Sequence, residues 1–295
     1  MSRAGLLFRP VDMEDREDLR GYLFAIAYRM LGSVAEAEDV VQEAFVRYHE
    51  ASPDAESPRA YLATVTTRLA IDHLRSARVR REVYPGEWLP EPLVDDDAQR
   101  HAETADSLSL TFLHLLEKLS PLERAVFLLR EVFDYPYEEL AAIVGKSPEN
   151  CRQILARARK RIDVGRRRFD VSREERDEVA RRFIGAWEEG DLDGLVALLA
   201  PDATLHGDGG GKAPSVPVPL VGAERIAKAI LGWGRQGRER GLTYRPAHVN
   251  GEPGAVFYGP DGTPVWVTAF EIADGVVVGI RSILNPDKLA HVPPR

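Results

Sequence analysis

Ser147, Glu149, Asn150, Arg152, Gln153, Arg157 and Lys160 crowd into fourteen positions. These side chains suit nucleic acid. Arg, Asn, Gln and Glu are the groups that pair with base edges in the major groove. Arg157, Arg159 and Lys160, further along, suit phosphates. The intervening residues say what must hold them. Cys151, Leu155, Ala158 and Ile162 recur at helical spacing, so a helix with a buried stripe carries the polar groups on its outer face. Ser147 is placed as the N-cap and Pro148 in the first turn, where no donor is lost. Upstream, Tyr135–Val144 reads as a shorter helix that ends at Gly145, a residue able to take the left-handed conformation. Helix, glycine turn, basic helix is the helix-turn-helix pattern, whose second helix enters the major groove by its N-terminal end. Taken alone, the pattern fits a surface helix hairpin with solvated arginines equally well.

Composition narrows the classes. At 295 residues, two or three domains are expected, and the 44% apolar fraction allows globular cores. No apolar run approaches the ~20 residues of a membrane helix. Met1–Asp18 is charged and lacks the apolar core of a signal peptide, so a cytoplasmic location is expected. One cysteine leaves no internal disulfide and no cysteine-based zinc site; Cys151 belongs to the buried stripe. Neither a metal nor a cofactor is expected. The net charge is −8, and residues 1–170 carry 25 Lys/Arg against 30 Asp/Glu. Any nucleic-acid contact is therefore local, and affinity for DNA alone should be weak. That suits a protein that meets DNA within a larger complex.

The N-terminal half reads as three helices. Leu19, Leu23, Ile26 and Met30 mark the first, which Gly32 ends. In the second, residues 34–48, Ala37, Val41, Ala44 and Tyr48 form an inner face, while Glu36, Asp39 and Glu43, with Gln42 beside them, form an acidic outer face. Residues 49–58 read as a loop. The third helix, 59–78, buries Leu62, Val65 and Leu69 and lines its other side with Arg68, Arg75 and Arg78. Residues 82–106, with Trp88-Leu89-Pro90-Glu91-Pro92 and Asp95-Asp96-Asp97, read as a linker in which Trp88 must dock somewhere. Ser120-Pro121-Leu122-Glu123 is a capping box that opens a helix over 121–132.

Ala35-Glu36-Ala37-Glu38-Asp39-Val40-Val41-Gln42-Glu43-Ala44-Phe45 resembles the region-2 helix of extracytoplasmic-function (ECF) sigma factors, which binds the RNA polymerase clamp. Residues 59–81, with Ala70-Ile71-Asp72-His73-Leu74-Arg75, resemble the neighbouring helix that engages the −10 promoter element, although many family members have Asn where this chain has Arg68. Residues 107–162 resemble region 4, which reads the −35 element. The resemblance implies two all-α domains, 15–81 and 107–168. Their partners would be core polymerase, through Glu36, Asp39, Gln42 and Glu43, and promoter DNA. Arg68, Arg75 and Arg78 would hold the −10 strand, and Ser147, Glu149, Asn150, Arg152, Gln153, Arg157 and Lys160 the −35 element.

Beyond Arg168 the pattern changes. Val179, Phe183 and Trp187 mark a helix ending at Gly190. Further helices are expected over Leu192–Leu199 and Gly222–Trp233. Ala203–His206 can be a strand. Strands over 242–249, 254–258, 264–272 and 276–284 are separated by Asn250-Gly251, Asp261-Gly262 and Asp274-Gly275, which suit hairpins. Helices followed by an antiparallel meander imply an α+β domain, 172–290, with a curved sheet folded over helices around a pocket. The order resembles the SnoaL-like, NTF2-like cone. Some relatives are cyclases or isomerases with acid–base groups in the cone. His206, Asp208 and His248 are the candidates for such a role, yet no pair of strand positions brings an acid and a base together, and no catalytic residue is assigned. Asp208-Gly209-Gly210-Gly211-Lys212 lacks the spacing of a P-loop, but its glycines permit close backbone approach to another surface. Together with Trp88–Pro92 and Asn285-Pro286-Asp287-Lys288-Leu289, it resembles the signature set of one ECF group with a fused SnoaL-like extension. There the extension stands in for a separate anti-sigma factor. By that resemblance Trp88, Asp208, Gly210, Lys212, Asn285, Asp287 and Lys288 would join the domains, and the cone is open to a small-molecule ligand. Two rivals remain: a metabolite-sensing helix-turn-helix regulator, and a SnoaL-like isomerase or cyclase tethered by its N-terminal half.

Overall fold

The computed structural model describes residues 13–51, 57–94, 108–162 and 172–295. Asp95-Asp96-Asp97 and Arg166-Arg167-Arg168 lie outside them, as does the side chain of Arg78.

Helices α1 (Met13–Leu31), α2 (Val34–Ala51) and α3 (Pro58–Glu82) pack on one another. They are followed by α4 (Leu110–Leu116), α5 (Pro121–Glu131), α6 (Tyr137–Val144) and α7 (Pro148–Ile162). The local signals act as expected. Ser120 and Glu123 close a reciprocal capping box at α5. Gly145 takes φ 67°, ψ 42° and returns its amide to Ala141. The Ser147 hydroxyl accepts from the Asn150 amide. The two helical regions do not stand apart. Leu23, Ile26 and Leu31 of α1 share one continuous apolar core with Val126 and Leu129 of α5 and with Leu140 and Leu155 of the helix-turn-helix. Buried Arg124 of α5 donates to the carbonyl of Arg29 at 3.1 Å and pairs with Glu117.

The C-terminal domain comprises α8 (Arg173–Glu189), α9 (Leu192–Leu198), β1 (Leu199–Asp208), β2 (Leu220–Val221), α10 (Ala223–Glu239), β3 (Thr243–Val249), β4 (Glu252–Tyr258), β5 (Pro264–Ala273), β6 (Val276–Ile283) and the short α11 (Pro286–Leu289). The sheet order is β2-β1-β6-β5-β4-β3. β3 to β6 form the expected antiparallel meander, and β1 adds to β6 in parallel, which the sequence reading did not foresee. α10 also runs past Trp233 to Glu239. Asn250 and Gly251 both have positive φ, as do Asp274 and Gly275, which the tight hairpins require.

The two faces of the sheet serve different neighbours, following the period of two. Phe270, Ile280 and Leu205 face α8–α10 and form the core of the cone. Val256, Tyr258, Val267, Ala269 and Ile283 point the other way, into a third cluster with Leu89, Val94, Leu110, Leu289 and Val292. Leu89 and Val94 belong to the stretch read as a linker. Residues 84–94 are thus an extended strap pressed between the helical body and the sheet.

Candidate functional site

On α7 the buried stripe holds Cys151, Ile154, Leu155, Ala158 and Ile162, so Glu149, Asn150, Arg152, Gln153, Arg157 and Lys160 stand exposed along the opposite face. Arg152 lies over the Tyr137 ring, 4.7 Å from its centroid, which steadies its guanidinium near the leading end of the helix. Ser147 is occupied as the cap. Arg159 is exposed as well and pairs with Glu131 of α5 at 2.7 Å. Cys151 is fully buried, and burial raises its thiol pKa, as suits a core residue.

α2 presents Asp39, Gln42 and Glu43 to solvent, with Glu36 half-buried and Glu43 paired to Arg47 at 2.8 Å. On α3, Arg75 is exposed and pairs with Asp72 at 2.7 Å. Arg68 reaches across to the helix-turn-helix: its Nε donates to the Ile143 carbonyl at 2.9 Å and a terminal nitrogen to the Ala142 carbonyl at 3.0 Å. Those carbonyls belong to the last turn of α6, where acceptors go unsatisfied within a helix and a cation is favoured. Arg68 therefore joins the two helical regions.

The densest polar chemistry surrounds the strap. Asp208, with no exposed surface, sits at the end of β1. Its Oδ1 accepts from Tyr84 Oη at 2.6 Å, and its Oδ2 accepts from the Leu89 amide at 2.8 Å and from Lys288 Nζ at 2.6 Å. Lys288 also donates to the Leu89 carbonyl and lies over the Trp88 ring, 4.1 Å from its centroid. Asn285 donates to Tyr84 Oη at 2.8 Å while capping α11. Gly210 and Gly211 take positive φ, and a side chain at Gly210 would collide with Asn285 and Tyr84. Burial and the neighbouring Asp208 keep the Tyr84 phenol protonated far above its ordinary range, so it stays a donor. A second clasp lies further along. Asn250 donates to Tyr28 Oη at 2.7 Å and to the Leu108 carbonyl at 2.9 Å, and accepts from the Leu93 amide at 2.9 Å. Glu91 accepts from Ser33 at 2.8 Å and from the Val34 amide at 2.7 Å, capping α2 from outside. Trp88 rests on Gly32, where a Cβ would lie 2.8 Å from the ring.

The cone has an aromatic mouth and a filled interior. A cleft of about 400 Å³ is lined by Trp187, Trp233, Trp266, Tyr244 and Phe257, with Glu188 and Arg238 at its edge. The space behind it is only about 40 Å³. None of the three acid–base candidates lines either. His206 faces Glu87 of the strap at 2.7 Å, Asp208 is locked in the knot, and His248 pairs with Asp177 at 2.9 Å. His206 and Asp208 project from β1 toward the strap, and His248 of β3 meets Asp177 of α8, so neither the cleft nor the space behind it brings two of the candidates together.

Comparison with known proteins bears on all three parts. Residues 16–80 match the family model Sigma-70 region 2, residues 109–162 Sigma-70 region 4, and residues 180–280 the SnoaL-like domain. The ECF RNA polymerase sigma factor SigJ of Mycobacterium tuberculosis is 37% identical over 96% of this chain and 95% of its own length. This chain belongs to the ECF RNA polymerase sigma factors. The probable ECF sigma factor SigI of the same species is 35% identical, over 92% of both chains. The crystal structure of M. tuberculosis SigJ superposes with a TM-score of 0.80, covering 96% of this chain and all of that one at 36% identity. This ECF sigma factor thus has region 2, region 4 and a SnoaL-like domain in that order.

Of the residues expected to join its domains, Trp88, Asp208, Gly210, Asn285 and Lys288 converge on one knot. Lys212 and Asp287 pair with each other at 2.5 Å on the surface of the SnoaL-like domain. Tyr28, Tyr84, Glu91 and Asn250 were assigned no interdomain role from the sequence. Asn250 was legible only as a hairpin residue, and its partner Tyr28 lies 222 positions away. Glu87, His114 and His206 also come together, at the junction of strap, α4 and β1.

Proposed function

We propose that this ECF sigma factor directs bacterial RNA polymerase core to specific promoters, and that the arrangement described is its closed form. Asp39, Gln42 and Glu43, which already face solvent, would dock on the polymerase clamp together with the half-buried Glu36. The exposed face of α7 would read the −35 element. The observation that carries the closed-state reading is Arg68, whose guanidinium is spent on the carbonyls of Ala142 and Ile143. Capture of the −10 strand by Arg68, Arg75 and Arg78 requires region 2 and region 4 to part. The SnoaL-like domain opposes that parting, because it grips the strap from one side while Glu91 and Tyr28 hold it to region 2 from the other. The domain would then act as a built-in regulator in place of a separate anti-sigma factor, biasing a closed and an open population.

The acidic balance fits this role. Each DNA contact is weak, and polymerase supplies the effective concentration that makes two weak contacts sufficient. A small molecule biasing the equilibrium would act at the aromatic mouth of the cone, since the interior is filled. The chain itself would carry out no catalysis, and as a polymerase subunit it would work in the cytoplasm.

The test is run-off transcription with purified bacterial core polymerase on the region upstream of the chain's own gene. Three proteins are compared: the full chain, a version ending near Asp170, and one lacking Asn285–Arg295. Initiation that depends on added protein, with output altered by either truncation, is expected. Absence of initiation, together with tight operator binding without polymerase, would instead identify a metabolite-sensing helix-turn-helix regulator.

A further inference from the structure

We infer that Glu87, His114 and His206 form a binding site for a divalent transition-metal ion of the Zn²⁺ class, clasping the strap, region 4 and the SnoaL-like domain together. One ligand comes from each part: Glu87 from the strap, His114 from α4, His206 from β1. Their ligand atoms all lie within 4.8 Å of one another. Glu87 Oε1 is 2.7 Å from His206 Nδ1 and 3.6 Å from His114 Nε2. A tetrahedral ion with bonds of about 2.0–2.1 Å sets its ligand atoms roughly 3.3 Å apart. Those two separations bracket that value and the pair of imidazole nitrogens lies within 4.8 Å, so side-chain rotations on the order of an ångström bring all three ligand atoms to bonding distance of one ion. Two imidazoles and one carboxylate suit Zn²⁺, Co²⁺ or Ni²⁺ rather than Mg²⁺ or Ca²⁺, which want more oxygen ligands. Three protein ligands leave a fourth position for water.

Hydrogen bonding alone does not account for the cluster. Glu87 Oε1 can take a proton from His206, but His114 Nε2 at 3.6 Å is beyond hydrogen-bond range. Glu87 Oε2 is buried without a hydrogen-bond partner among the described residues, a costly state for a carboxylate oxygen. The two rings meet edge to face with centroids 5.7 Å apart, which holds both nitrogens toward the carboxylate. Arg281, beside His206 in the β1–β6 register, is a charge that opposes a cation. It is partly countered by Glu271, whose carboxylate lies 3.5 Å away and also accepts from Thr111 of α4 at 2.9 Å.

The full-length chain, stripped with a chelator, is titrated with Co²⁺ and followed by visible absorption. One equivalent should give the intense d–d bands of a tetrahedral site. Zn²⁺ should abolish them and Mg²⁺ should leave them unchanged. His114→Gln and His206→Gln should each lose the bands and weaken Co²⁺ binding at least tenfold. His248→Gln, paired elsewhere with Asp177, should retain both. Circular dichroism establishes that each variant is folded. Should His206→Gln misfold, His114→Gln decides the matter, because its side chain lies at the edge of the cluster. No bands in the folded wild-type chain, or equal titration of His114→Gln and wild type, would overturn the assignment. Neither readout involves transcription, so the result stands apart from the promoter role.

Discussion

Asp208 and Lys288 illustrate how much one residue pair can decide. Both are buried, at 0% and 5% exposure, and each satisfies groups on the strap as well as the other. Removing one partner leaves a buried charge uncompensated, which costs about 3–5 kcal/mol. Asp208→Asn should therefore lower the urea midpoint of the full chain substantially, and adding Lys288→Met to it should recover part of the loss. Recovery is the informative outcome, since it separates a charge effect from damage to β1. Glu123 offers a second case, with a pH dependence. Burial alone would raise its carboxyl, but hydrogen bonds from Ser120 and the Arg161 guanidinium at 2.5 Å outweigh it and hold the pKa below the ordinary carboxylate value. The folded state thus binds the proton more weakly than the unfolded chain. The stability it contributes is complete above about pH 4.5 and is lost as pH falls through the depressed value. Glu123→Gln should flatten that acid limb of the stability curve, measured by denaturant unfolding from pH 6 to pH 3.

Among the elements, the glycine turn after β1 and the last turn of α6 are where the domains meet. Gly210 has φ 58°, and a Cβ there would lie 2.3 Å from Asn285 Nδ2. Gly275 has a comparable φ of 75° with nothing within 4 Å. Alanine at either position pays the left-handed strain of roughly 1–2 kcal/mol. Only Gly210→Ala also pushes α11 and Tyr84 apart. Its melting temperature should fall further than that of Gly275→Ala, and its radius of gyration by small-angle scattering should rise while that of Gly275→Ala does not. Equal behaviour of the two would mean the turn contributes only its backbone shape. The elements themselves were largely legible. The capping box at Ser120, the glycine stop at Gly145 and the hairpin dipeptides at 250 and 274 act within a few residues, and each formed where local chemistry placed it. β1 was read too short and its parallel pairing missed, because a strand added to the far edge of a meander depends on partners more than 70 residues away.

For the whole molecule, charge predicts behaviour. With a net charge of −8, the chain alone should bind DNA weakly and with little sequence preference. In holoenzyme, Arg157→Ala and Lys160→Ala should each weaken promoter binding and reduce the salt dependence of log affinity by about one. Binding measured by fluorescence anisotropy at several salt concentrations checks this. An unchanged slope in both variants would place the phosphate contacts elsewhere on α7.

The sequence by itself determined the identity of the three parts, the helix-turn-helix with its exposed face, the acidic face of α2 and the segments from which the interdomain knot is built. The helix-turn-helix and the acidic face rest on short-range periodicity, caps and turns, which a chain writes locally; the identity of the parts and of the knot segments rests on their resemblance to one family. Only the tertiary structure decided what those segments do to one another. Nothing near Arg68 in the sequence shows that its guanidinium meets the carbonyl end of α6. Asn250 looked like a turn residue until Tyr28 and Leu93 closed on its amide. Glu87, His114 and His206 looked unrelated until the strap was pressed between α4 and β1. Such contacts join positions about 30 to more than 200 residues apart, so no local spacing encodes them. They exist because one sheet must bury both of its faces, and the second face is covered by the rest of the chain.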